Sequence, residues 1–101
     1  MAPKSHDKLA EELEKASGIS YNRGEGVDFK KRGIVAEVEA APETFKDGIR
    51  QLRPYKGRRY LVTNTEYIDE ALQRTDKTKI GVMKPNGAIV KPATPVRRKK
   101  K

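Results

Sequence analysis

Three acidic residues flanking a basic turn carry the chemistry of this chain. They lie in Val27-Asp28-Phe29 and in Ile34-Val35-Ala36-Glu37-Val38-Glu39-Ala40, joined by Lys30-Lys31-Arg32-Gly33. Both apolar stretches suit short strands, in which successive side chains point to opposite faces. Ile34, Ala36, Val38 and Ala40 then share one face, and Val35, Glu37 and Glu39 the other. A hairpin pairing Phe29 with Ile34 places Asp28 opposite Val35, on the face of both glutamates. Three carboxylates so gathered can hold a hard divalent cation, with Mg²⁺ or Mn²⁺ the expected choice. Two carboxylates about 5 Å apart repel by roughly 3 kcal/mol at an effective dielectric near 20, and a divalent ion relieves that cost. The alternative is a wet outer face paired with Lys30, Lys31 or Arg32, as antiparallel sheets often have.

The remaining elements must position that hairpin. Ser5 can cap a helix from about His6 to Ser17 that stops at Gly18. Leu9, Leu13 and Ala16 form its inner stripe, and Glu12 lies at the stripe's border. Pro42 suits the first turn of a second helix, which Pro54 ends near Arg53. Phe45, Ile49 and Leu52 are its predicted core residues, while Lys46, Arg50 and Arg53 make a basic stripe. Arg59 to Thr63 suits a buried strand. Thr63 or Asn64 is the predicted cap of a third helix reaching Arg74, with Ile68, Ala71 and Leu72 inward. Ile80 to Met83 and Ala88 to Val90 make a hairpin through Lys84-Pro85-Asn86-Gly87. The predicted order is α-β-β-α-β-α-β-β, a mixed α/β sheet flanked by helices.

Composition narrows the function. The 101 residues suit one domain, yet only 35% are hydrophobic and 37% are charged, so the core is small. No apolar run approaches the roughly 18 residues of a membrane span, and none suits a secretory signal. An intracellular, cytoplasmic address follows as the expectation, at a nucleoid or ribosome. With no cysteine and a single histidine, thiolate metal sites and nucleophilic triads are excluded, so an enzyme here would rely on carboxylates and a metal. His6, isolated at a helix start, is expected to have no chemical role. The net charge of +9 points to an anionic partner, nucleic acid, and five of the cations close the chain as Arg97, Arg98, Lys99, Lys100 and Lys101. Residues 1–91 are therefore expected to fold as one domain, and 92–101 to form a flexible basic arm.

Asp28, Glu37-Val38-Glu39, the first helix with its glutamate, and Gln51-Leu52-Arg53 on the following helix together resemble the PD-(D/E)XK, or restriction-endonuclease-like, nuclease superfamily. Small archaeal Holliday-junction-resolvase-like nucleases are the nearest members, and the likeness spans about Ser5 to Val90. The resemblance implies Asp28 and Glu37 as metal ligands, Glu12 as an assisting ligand, and Gln51 as a further site residue. Glu39 stands where the motif usually has lysine, so it can serve as ligand or general base but supplies no positive charge. The implied activity is Mg²⁺- or Mn²⁺-dependent hydrolysis of phosphodiester bonds. DNA is the favoured substrate and RNA the second, and the protein would act as a homodimer or in a larger nucleoprotein complex. Lys30, Lys31, Arg32, Lys46, Arg50, Arg53, Lys56, Arg58, Arg59 and the five terminal cations are the expected backbone contacts. The alternative function is a non-catalytic nucleic-acid-binding protein on the same fold, a ribosome-associated or chromatin component.

Overall fold

The computed structural model describes residues 3–22, 27–31 and 33–95. Arg32 and the terminal cations 97–101, expected to contact nucleic acid, lie outside the described residues. Three helices and five strands build a mixed α+β fold: α1 (His6–Ser17), β1 (Phe29–Lys31), β2 (Ile34–Val38), α2 (Phe45–Leu52), β3 (Arg58–Val62), α3 (Ile68–Thr75), β4 (Gly81–Met83) and β5 (Ile89–Lys91). The sheet runs in the order β1-β2-β3-β4-β5. Its three central strands are parallel, and both edge strands are antiparallel to their neighbours.

That arrangement covers the sheet on both faces. The two parallel crossovers step the same way, from β2 to β3 to β4, and with the usual hand they put α2 and α3 on one side, as their shared core shows. There Val35, Leu61 and Val82 meet Phe45, Leu52, Ile68 and Ala71. On the opposite face α1 packs Leu9, Ala10 and Leu13 against Phe29, Ala36, Val38, Tyr60 and Val62. Ala10, rather than Ala16, completes the buried stripe of α1; Ala16 is exposed. The central strands are largely apolar on both sides because both faces of the sheet are covered, Glu37 of β2 and Arg58 and Arg59 of β3 being the charged exceptions.

Local signals explain the element ends. The Ser5 hydroxyl accepts from the Lys8 N–H at the start of α1, and Gly18 closes it at φ 75°, where a side chain is disfavoured. Pro42 opens a 3₁₀ turn, Pro42–Thr44, that leads into α2, and a second 3₁₀ turn, Thr65–Tyr67, precedes α3. Asn64 does not cap that helix. Its amide donates to the carbonyls of Lys4 (3.0 Å) and Ala40 (2.8 Å), and its Oδ1 accepts from the Lys4 N–H. Asn64 thereby ties the lead-in to α1 to the end of β2.

One expectation needs correction here. Phe29 pairs with Ala36, not Ile34. The basic turn is correspondingly tighter, with Lys31 opposite Ile34 and only two residues between. Within the expected arm, Ala93 is buried in the α1-side core and the Thr94 N–H donates to the Lys79 carbonyl, so these two residues pack on the domain; 96–101 lie outside the described residues. Among the described residues, no helix is long and apolar enough to cross a membrane.

Candidate active site

The corrected register slips by two residues, and an even slip keeps every side chain on its face. It carries Asp28 from opposite Val35 to beside Glu37. The Asp28 N–H donates to Glu37 Oε1 (3.1 Å), and Asp28 Oδ2 accepts from the Val38 N–H (2.8 Å). Glu39 follows the end of β2, and its N–H donates to the Val62 carbonyl, continuing the parallel ladder. Its side chain lies against Gly48 of α2, where a Cβ would come within 2.7 Å of Glu39 Cγ. Glycine at 48 is what lets helix and carboxylate approach.

Burial decides between the two readings of these acids. Asp28, Glu37 and Glu39 are 8%, 4% and 9% exposed, so they do not line a wet face. The expected pairing with Lys30 is also absent; its ammonium lies over the Tyr55 ring, 5.4 Å from the centroid. The reason is the parallel partner β3, which buries β2 in mid-sheet. Burial, the Asp28 charge and the Glu39 charge together push the Glu37 carboxyl up to about 7, against the opposing hydrogen bond from Asp28 N–H and the influence of His6. Burial also raises Glu39, opposed by a hydrogen bond from Thr44 and by His6.

His6 is the residue whose role was not foreseen. Its Nε2 lies 3.1 Å from Asp28 Oδ2, and its Nδ1 lies 3.2 Å from the Tyr21 hydroxyl. Tyr21 in turn stacks on Phe29, with ring centroids 5.7 Å apart. Burial opposes the imidazolium, but Asp28, Asp7 and Glu39 together outweigh it, and the ring binds its proton more tightly than usual. The available signal was global: this is the only histidine in the chain. Twenty-two residues of separation hid the contact.

Other expected site residues stand apart. Glu12 pairs with Lys4 on the half-buried flank of α1. Gln51 is exposed, nearly one turn beyond Gly48 on α2. Arg59 is 7% exposed, its Nε has no hydrogen-bond partner, and burial lowers its proton affinity. Most of its side chain is therefore covered, unlike the other expected contact residues among those described. The cause is its place in β3, opposite Val35. Lys31, Lys46, Arg50, Arg53, Lys56 and Arg58 are exposed, as contact residues require.

Among the described residues, no three His, Cys, Asp or Glu side chains converge as a ready set of metal ligands. Asp28 and Glu37 each commit one oxygen to a backbone N–H, and Glu39 is turned toward α2. The donor chemistry nonetheless suits Mg²⁺, which keeps several waters and commonly takes one or two carboxylates together with substrate oxygens. A second feature fits a polar guest: the Thr63 hydroxyl is wholly buried and has no partner. Thr63 follows the Val38–Val62 pair, so it neighbours Glu39 in the parallel register. The cluster also lies at the carboxyl end of β2, the end at which open α/β sheets bind ligands. Comparison with known protein families, characterised proteins and solved structures finds no match for this chain.

Proposed function

We propose that this protein is a nucleic-acid-binding, Mg²⁺- or Mn²⁺-dependent endonuclease of restriction-endonuclease-like architecture, acting on DNA in repair or recombination. One observation carries the proposal: three buried carboxylates lie at one end of β2, and among the described residues His6, but no lysine or arginine, pairs with them. Asp28 and Glu37 are the residues that would hold the cation, and Glu12 is not among them. The bound ion would supply Lewis-acid stabilisation of charge on the phosphoryl oxygens and an activated water. Glu39, whose proton affinity burial raises, would serve as the general base of that reaction. His6 and the Val38 N–H hold Asp28 in orientation.

A second reading has its own support. Glu39 in place of the motif lysine, and the hydrogen bonds that already occupy Asp28 and Glu37, favour a non-catalytic nucleic-acid binder on the same fold. Incubating the protein with plasmid, branched DNA and structured RNA, in Mn²⁺, Mg²⁺ or EDTA, separates the two. The endonuclease cuts only with metal, and Glu37→Ala slows cutting by roughly 100-fold or more, the loss of about 3 kcal/mol of transition-state stabilisation. Binding without cutting, unchanged in Glu37→Ala, establishes the passive binder instead.

A further inference from the structure

The basic stripe of α2 does not stand alone. Lys46, Arg50 and Arg53 line a groove of about 420 Å³ whose other wall is Arg74, in the last turn of α3, with Thr78 beyond it. All four cations are exposed, and among the described residues only Arg50 has an acidic partner, Asp47 at 2.7 Å. On a helix at 100° per residue this stripe is nearly opposite Gly48, the residue that abuts Glu39. The groove and the carboxylates therefore occupy opposite sides of one helix.

We infer that the groove between α2 and α3 is a docking surface for the sugar–phosphate backbone of a nucleic acid, spatially separate from the acidic cluster. Seven residues of helix span roughly 10 Å, which matches about three phosphates at 3.4 Å of axial rise per strand. Arg74 meets the same backbone from the second helix, so the groove contacts phosphate from two walls. Being remote from the carboxylates, it sets affinity and leaves the chemistry at Glu37 alone. The inference rests on the nucleic-acid reading of the protein but not on hydrolysis.

The test measures binding of the full chain to short duplex DNA in EDTA across a salt series. Arg53→Gln combined with Arg74→Gln should lower the salt slope by about 1.8 and raise Kd roughly 60-fold near about 0.1 M salt. Arg53→Lys with Arg74→Lys should restore the slope, and Lys8→Gln with Lys15→Gln, exposed on α1, should leave it unchanged. An unchanged slope in the glutamine pair overturns the groove alone. So does an equal loss in the α1 control, or displacement of the DNA by polyglutamate of matched charge, which would make an acidic polypeptide the occupant. Failure of the wild-type chain to bind duplex at all overturns the nucleic-acid reading as well.

Discussion

Glu37 is a carboxyl that prefers its proton near neutrality because it is buried beside Asp28 and Glu39. Its folded-state value exceeds the ordinary 4.5, so its stabilisation is complete below pH 4.5 and is lost as pH rises through about 7. The span corresponds to roughly 3 kcal/mol. Urea titrations at several pH values should show this decline in the wild type and a clearly shallower one in Glu37→Gln; identical slopes would dismiss the raised proton affinity. Mn²⁺ should flatten the wild-type decline, since it binds the ionised form. His6→Ala is expected to cost about 1 kcal/mol, a charge-assisted hydrogen bond discounted for a half-exposed ring. It should also move the Glu37 titration upward in carbon-detected NMR, because His6 now lowers it.

At the scale of elements, α2 serves two surfaces. Its inward side carries Phe45, Gly48 and Leu52, and its outward side carries the cations of the groove. Gly48→Ala tests the inward contact. Helix propensity alone favours alanine by about 1 kcal/mol, yet the new methyl meets Glu39 Cγ and Oε2 at 2.7 and 2.8 Å. Overpacking of this kind costs about 1–3 kcal/mol, so the variant should be net destabilised. In a Glu39→Ala background the same change should become stabilising, and chemical denaturation of the four proteins in a cycle reads the coupling. Additive effects would mean that Glu39 does not rest on α2.

For the molecule as a whole, the excess of positive charge is divided between the α2–α3 groove and the chain's end. Each phosphate contact contributes about 0.9 to the salt slope, so trimming residues 97–101 should remove about four units if all five cations contact duplex DNA. Cleavage by the trimmed protein should persist at low salt, because Asp28, Glu37 and Glu39 are untouched. Loss of cutting at low salt under conditions of saturating protein would instead place the arm in the chemistry.

The helix over His6–Ser17, the strands and both hairpins were legible in the sequence, because caps, alternation and turn glycines act over a few residues. The opposition of Asp28 and Glu37 was only approached, because the expected register was off by two residues. The burial of the three acids was not legible. It depends on β2 lying between β1 and the parallel β3, and alternation alone cannot distinguish a covered face from a wet one. Likewise nothing local distinguishes Arg59 from Arg58, although one is buried between strands and helices and the other is exposed. The junction of His6 with Asp28 and Tyr21 depends on α1 packing across the sheet, which joins residues far apart in sequence. Local patterning thus determined which residues could act; long-range packing, which sets burial and hence proton affinity, decided which of them meet.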